Sequence, residues 1–538
     1  MKLRVQFTFL VVVCVLIFFT NRSDTIPDIM EARNLVTARE MVVHGNWLLP
    51  TLNGEPRLAK PPLPTWLTAI TAIIAGDTGD ISSLRIPGAL IASLMVFALF
   101  IFTREISQNP LLPFLSAVVL ATSFLIINMG RSNSWDIFTN SFMLLAMAFM
   151  LMGMKRICSA YGIWCLVGLF WGLTLMSKGP VSFYGLLLPF LIGYIIFFGY
   201  HTLLSRWREI LLAILITLLI SLPWPLYVWY HIPENLWFTL NHESTQWLER
   251  HVEPFWFYWG FTTQTGIWTA FAIITLVQPY ISKKLEEKRE YKMILAWLLL
   301  TIFLLSVIPE KKERYLIPCL IPLSIMVGYY FNYLIEVFGK GRQKTDDQLL
   351  LKINMVLLSI ASLLLPIGIY WWREMHHEAT ISQIIFPLLT TIGFVIALWF
   401  SYFRKRILHI FLSIALFMCL TNVLAHFMLY NPIKNQAYKD FGSVRHLETV
   451  QRLDLYSIGP MNPKFIWSIG REVKVWDPSF APDLHRLLPL ALFTWLTPEQ
   501  LKTHKIFGHL NIQLVEEFRP SRKTPDTKYF LYLMQPVK

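Results

Sequence analysis

The chain has 538 residues, of which 55% are hydrophobic and only 15% charged, with a formal net charge of +13. That composition excludes an ordinary soluble globule and describes a protein that crosses a bilayer many times. The basic residues are spread over short loops between apolar runs, so the positive excess reads as membrane topology and not as a nucleic-acid surface. Runs of about 18 to 25 apolar residues recur up to about residue 430, each long enough to cross ~30 Å of hydrocarbon. The predicted spans, roughly thirteen by that criterion, lie near 5–21, 85–103, 113–130, 137–154, 162–177, 181–199, 209–230, 256–279, 292–309, 315–337, 353–372, 383–402 and 407–429. The first resembles a signal peptide, but Phe18-Phe19-Thr20-Asn21 offers no small-residue cleavage site, so an uncleaved helix is expected.

Lys2/Arg4, Lys155/Arg156, Arg206/Arg208, Lys283/Lys284, Lys340/Arg342 and Arg404/Lys405/Arg406 all fall on one side if the N-terminus is inside. An excess of Lys and Arg on alternate short loops sets orientation, and an odd number of spans then puts the C-terminus outside. From Asn431 the apolar runs shorten and Pro and charge rise. Leu453–Ile458, Glu472–Trp476 and Tyr529–Leu533 read as strands, and Thr497–Lys502 as a short helix with a Thr cap and Pro at its first position. The expected architecture is an all-α polytopic membrane bundle over residues 1–430 and a small α/β domain over 431–538 on the outer face. The cysteines (Cys14, Cys158, Cys165, Cys319, Cys419) lie in or beside apolar spans, which leaves no disulfide framework and no metal-binding Cys pair.

The outer loops are where charge collects. The first runs from about residue 21 to 84, far longer than a connector needs. Within it Glu31, Asn34/Leu35, Ala38 and Met41/Val42 repeat at helical spacing, as an amphipathic helix at the interface would. Asp28, Glu31, Arg33 and Lys60 share that loop. Asp136 opens the fourth span, Ser177-Lys178-Gly179-Pro180 is the whole turn between the fifth and sixth, and 231–254 holds Asn241-His242-Glu243. Pro309-Glu-Lys311-Lys312-Glu-Arg314-Tyr315 places basic residues on the outer side, against the positive-inside trend. His376/His377, beside Trp371-Trp372, reads as part of an interfacial aromatic belt and not as a metal pair.

In order, Met30-Glu31-x-Arg33, Arg39-Glu40-Met41, Gly45-x-Trp47, Lys60-Pro61-Pro62, Trp135-Asp136, Met176-Ser177-Lys178-Gly179, Leu222-Pro223-Trp224, Pro254-Phe255-Trp256-Phe257-Tyr258 and Lys311-Lys312-x-Arg314-Tyr315 make a recognisable series. It resembles the GT-C glycosyltransferases of the aminoarabinose transferase and protein O-mannosyltransferase superfamily, nearest to the bacterial aminoarabinose transferases, over residues 1 to about 430. The resemblance implies a GT-C bundle in the bacterial cytoplasmic (inner) membrane that transfers a sugar, with inversion, from a polyprenyl-phosphate donor on the outer, periplasmic face. The implied acceptor is lipid A, another glycolipid, a glycan or a protein; nucleic acid has no place in it. Arg33, Lys60, Asp136, Lys178 and Tyr315 match the pattern. Three positions depart from it. Met30 stands where relatives carry the leading catalytic Asp, with Glu31 and Asp28 as the carboxylates nearest to it. Ala59 and Ser244 stand where that branch supplies metal ligands, which leaves a divalent metal without its usual donors.

Displacing a lipid phosphate from an anomeric carbon calls for cations that stabilise the departing anion in a partly dry pocket. Arg33, Lys60, Lys178, Lys311, Lys312 and Arg314 are the candidates, with Tyr315 beside them. A hydroxyl acceptor also needs a general base, for which Glu31, Asp136 and Asp28 are candidates, and Glu243 and His242 are placed in the substrate pocket. The plainer readings are a helix cap for Asp136, a snorkelling lysine at Lys178 and headgroup binding by Lys311–Arg314. A non-catalytic relative and a transporter are the competing functions. Transporters place ionisable groups near the bilayer midplane, whereas these spans have nearly charge-free centres.

Overall fold

In the computed structural model, the described residues are 1–156, 160–249, 251–277, 280, 284–374, 382–429, 440–476, 487–503, 507, 510–520 and 528–536. The chain forms two compact units. One comprises Met1–Asp24, Leu58–Pro64 and Arg85–Tyr430; the other Thr25–Arg57, Thr65–Leu84 and Asn431–Lys538. His376/His377 and the side chain of Ser244 lie outside the described residues.

The first unit is a bundle of apolar helices. Among the described residues, eight helices are long and apolar enough to cross a membrane, or nine if one bent pair counts as a span. That pair is the predicted 113–130 segment, which breaks into Leu112–Ala121 and Phe124–Gly130 with a 66° bend. Thr122 and Ser123 sit at the break and turn their hydroxyls back to the Val118 and Val119 carbonyls at 2.6 and 2.7 Å. Such back-bonding competes with the helix ladder and favours bending. The predicted 256–279 span also differs: Phe255–Trp268 is a tight 3-10 coil, interrupted at Gly266 (φ +63°), before a short helix Thr269–Leu276. Threonine hydroxyls take up carbonyls there, Thr265 to Thr262 and Thr269 to Gly266, each at 2.6 Å.

The helix Trp135–Lys155 packs against Ile86–Ile106 and Tyr161–Lys178, and the last of these against Trp207–Ser221. The last contact depends on two glycines four residues apart. A Cβ at Gly168 would lie 2.5 Å from the Ala213 carbonyl oxygen, and one at Gly172 2.7 Å from the Ile220 Cβ. Small residues at this spacing let helix backbones approach closely in lipid. Thr217 adds a hydroxyl bond to the Gly168 carbonyl at 3.1 Å. The helix so fixed ends at Lys178.

The second unit joins first-loop residues to the C-terminal region. The helix Ile29–His44 ends in the left-handed residue Gly45 (φ +74°). It is followed by a two-strand hairpin, β1 (Thr51–Leu52) and β2 (Glu55–Pro56), turned at Asn53-Gly54. Both turn residues have positive φ, +59° and +80°, as a two-residue hairpin of this kind requires. Five further strands form one sheet: β3 (Leu455–Ile458), β4 (Lys474–Trp476), β5 (Leu490–Thr494), β6 (Asn511–Phe518) and β7 (Tyr529–Gln535). Their order is β4-β3-β5-β7-β6, with the first three parallel and the last two antiparallel. Along β5, Leu490 and Leu492 enter one core while Ala491 and Phe493 enter the other, so the strand is buried on both faces. Ala32, Leu35 and Val36 of the first loop share a further core with Ile466 and Trp467.

Buried charge marks this unit too. Glu40 is 3% exposed and organises the hairpin: its carboxylate accepts from Thr51 Oγ1 at 2.7 Å and from the Asn53 and Gly54 amides at 2.7 and 3.3 Å. Asn53 in turn pairs with the Val473 backbone through both ends of its amide. The face read from sequence as half-polar is therefore enclosed.

Gly168→Leu should force the Tyr161–Lys178 and Trp207–Ser221 helices apart and cost about 1–3 kcal/mol, seen as a lower unfolding midpoint in detergent. Gly185→Ala, whose new Cβ would meet nothing closer than 3.6 Å, should leave the midpoint unchanged.

Candidate active site

Asp136 stands in the first turn of the Trp135–Lys155 helix and is 4% exposed. It does not cap that helix; Ser134 occupies the cap position. The Asp136 carboxylate instead takes two cations. Lys178 Nζ donates to Oδ1, and Arg314 Nε lies 3.3 Å from Oδ2. Lys178 ends its helix because Gly179 (φ +77°) reverses the chain into Pro180. At 8% exposure its ammonium is enclosed and does not reach outward as a snorkelling lysine would.

Arg314 and Tyr315 come from the turn Glu313–Leu316 that leads into Ile317–Gly339. The Tyr315 ring faces Lys178 Nζ at 4.6 Å, a cation–π distance. Its hydroxyl reaches Glu310 at 3.5 Å, too long to count for much. Lys312 pairs with Glu310. Lys311 points elsewhere: its ammonium donates to the carbonyls of Ile308, Glu253 and Pro309 at 2.8, 2.9 and 3.5 Å. With the Val252–Glu310 bridge and the Lys311 amide on the His251 carbonyl, it ties the 309–314 loop to residues 251–253. Tyr258 completes that tie, its hydroxyl accepting from the Lys312 amide at 3.1 Å.

Lys60 and Glu243 form a half-buried ion pair at 3.1 Å, and Lys60 lies near enough to repel Lys178. His242 is exposed and stacks on Phe238 with centroids 5.8 Å apart. Among the described residues no three His, Cys, Asp or Glu side chains gather as metal ligands. Glu243 carries the Lys60 ammonium. Ala59 precedes Lys60, and the described side chains do not supply the donor set of a divalent ion.

Asp28, Glu31 and Arg33 belong to the second unit. Asp28 caps the Ile29–His44 helix by accepting from the Glu31 amide at 2.7 Å. Glu31 is 3% exposed, and Arg33 Nη1 contacts the Met30 sulfur at 3.6 Å. The bundle thus brings together Lys60, Asp136, Lys178, Glu243, Lys312, Arg314 and Tyr315. Lys311 is turned onto carbonyls.

Sequence reading missed the buried polar chain one turn below Asp136. Asn140 Nδ2 donates to the Asp136 carbonyl at 2.8 Å, and Ser182 bonds both Asn140 at 3.2 Å and Thr139 at 3.0 Å. Its signal was present: Thr139 and Asn140 follow Asp136 by three and four residues inside one apolar run, and Ser182 lies near the start of another.

A family model described as dolichyl-phosphate-mannose-protein mannosyltransferase matches residues 59–227. An undecaprenyl phosphate-alpha-4-amino-4-deoxy-L-arabinose arabinosyl transferase of Pseudomonas fluorescens Pf0-1 is 28% identical over 69% of the chain. The chain spans 64% of that relative's length, somewhat less than two thirds. A second such transferase, from P. fluorescens Pf-5, is 28% identical over 81% of the chain and 74% of its own length. The fold is similar to that of crystalline ArnT from Cupriavidus metallidurans bound to undecaprenyl phosphate, with a TM-score of 0.73, 15% identity and coverage of 99% and 98% of the two chains.

Because the ring of Tyr315, and not its hydroxyl, meets Lys178, Tyr315→Phe should leave the unfolding midpoint in detergent unchanged. Tyr315→Leu removes a desolvated cation–π contact of about 2 kcal/mol and should lower that midpoint measurably.

Proposed function

We propose, for a chain similar to the GT-C glycosyltransferases of the aminoarabinose-transferase type, that it moves a sugar from undecaprenyl phosphate or a related polyprenyl phosphate to a lipid acceptor. The single observation that supports this most is the buried meeting of Lys178 and Arg314 on Asp136.

The donor is a phosphodiester of one negative charge. When the acceptor oxygen attacks the anomeric carbon from the opposite face, the carbon–oxygen bond to phosphate breaks and its electron pair stays on the phosphate. The configuration inverts, and the lipid leaves as a monoester with one more negative charge. Lys178 and Arg314 are placed to receive that charge where little water competes. The arginine fork suits two phosphate oxygens and the lysine one. In this reading Asp136 is a positioning residue, since both of its carboxylate oxygens are occupied by cations. Lys60 and Lys312 add positive field, each balanced by one carboxylate, Glu243 and Glu310.

A hydroxyl acceptor must also lose a proton, and Glu31 is the carboxylate that the family pattern offers. Asp28 is engaged as a helix cap. A phosphate acceptor carries no proton that must leave, which would account for Met30 in place of the leading acid. We place the protein in the bacterial inner membrane with its N-terminus in the cytoplasm and residues 431–538 in the periplasm, on the strength of the alternating basic loops.

Lys178→Met should lower transfer from undecaprenyl-phosphate sugar by about 100-fold or more without changing the unfolding midpoint by more than a few degrees, and Asp136→Asn by at least tenfold. Undiminished transfer by both variants would sink the assignment. Glu31→Gln separates the acceptor classes: a loss of about 100-fold marks a hydroxyl, a loss under tenfold a phosphate. For topology, a cysteine at Gln451 should react with an impermeant maleimide in intact spheroplasts, and one at Arg342 only after lysis.

A further inference from the structure

The second unit contains a cavity of about 460 Å³ lined by three arginines, Arg39, Arg445 and Arg471, with Asp77 as the acid in its lining. Arg39 is 6% exposed. Among the described residues no carboxylate lies within the 4.0 Å of an ion pair from any of the three. Backbone carbonyls hold them instead. Arg445 donates from Nε to Ser468 at 2.8 Å and from Nη2 to Trp467 at 2.6 Å. Arg471 donates from Nη1 to Gln451 at 2.7 Å and from Nη2 to Val450. Both Arg39 Nη atoms share one carbonyl, that of Ile466, at long distances of 3.4 and 3.5 Å.

Buried guanidinium without a carboxylate costs folding free energy. Burial holds Arg39 down to about 10, with Arg445 pushing the same way and Glu40 opposing. Arg445 and Arg471 are likewise lowered by burial, against the pull of Asp77 and Asp440 on the first and Asp454 on the second. The backbone has been shaped to admit this crowding. A Cβ at Gly470 (φ +89°) would lie 2.7 Å from Arg445 Nε, and one at Gly79 3.1 Å from Arg445 Nη1.

We propose that this cavity is a binding site for a phosphomonoester, separate from the transferase site and independent of the function proposed above. Three arginines less Asp77 leave a lining charge of +2, which a phosphate dianion neutralises and a single carboxylate does not. Planar donor forks fit its oxygens in pairs. Either a lipid headgroup or a free phosphate carries that chemistry.

The test is calorimetric titration of the full chain in detergent with inorganic phosphate, at constant ionic strength. Saturable binding is expected that Lys178→Met leaves unchanged, that Arg445→Gln/Arg471→Gln weakens more than tenfold, and that Asp77→Asn tightens severalfold. The gain in Asp77→Asn guards against misfolding as the reason for a loss. Competition by dihexanoyl phosphatidic acid below its micellar concentration supports the site in either order and names the source. Displacement at lower concentration than phosphate marks a headgroup, at higher concentration a free phosphate. No saturable binding at millimolar phosphate, binding lost in Lys178→Met, or binding indifferent to all the arginine and Asp77 variants would overturn the proposal.

Discussion

Burying a carboxylate between a lysine and an arginine is expensive, and the bundle is arranged so that the expense is met at Asp136. Desolvation of such ions costs several kcal/mol each before their attraction is counted. Helix polarity supplies part of the return. Asp136 lies at the N-terminal end of Trp135–Lys155 and Lys178 at the C-terminal end of Tyr161–Lys178, each where the helix dipole favours its own sign. The two helices are successive and pack together, so a short connection brings the favourable ends side by side. The pair is then a consequence of an antiparallel helical hairpin with an acid at its start and a base at its finish.

That geometry needs the hairpin to be held in register, which explains features far from the charges. Gly168 and Gly172 let the Lys178 helix lie against its next neighbour, and Ser182, Asn140 and Thr139 lock the turn after Lys178 to the helix of Asp136. Arg314 arrives from another part of the chain, and its loop is held by Lys311 and Tyr258. A cation spent on three carbonyls is a structural investment that lets a different cation face the site.

The charged ends of spans were legible in the sequence because lipid leaves so few reasons for them: Asp136, Lys178, Arg314 and Tyr315 stood out against apolar runs. Direction was not legible. Lys311 and Lys312 are adjacent and chemically alike, yet one turns to carbonyls and the other to Glu310, which depends on a loop whose path only tertiary contacts fix. The 255–276 stretch read as a plain span because hydropathy sees composition, whereas its 3-10 coil is set by threonine hydroxyls and Gly266. Strand β5 escaped for the opposite reason. Buried on both faces, Leu490–Thr494 shows no alternation, and its apolar run follows Pro489 without the period-two signal of a half-buried strand. Arg39 and Glu40 were noticed as a motif, but their enclosure within the second unit could not be read from helical spacing.

The Lys60–Glu243 pair carries a chemical consequence. A carboxylate that ligates a divalent ion and one that accepts a lysine ammonium have the same charge and different demands: the first needs two or three further anionic or imidazole donors, the second one cation within reach. Among the described residues, Ala59 stands beside Lys60 and an exposed His242 stacks on Phe238, while the Lys60 ammonium is within reach of Glu243. A monophosphate leaving group asks less of a metal than a diphosphate, because the charge to be stabilised sits on one phosphorus and lies within reach of a few side chains. Lysine at position 60 supplies a positive charge that Glu243 balances. It supplies that charge at a distance from which it also repels Lys178. On the function proposed above, an anionic phosphate reaching Lys178 and Arg314 would meet that added positive field. In that reading, the electrostatics that burden the folded protein are the ones that favour charge developing on a departing lipid phosphate.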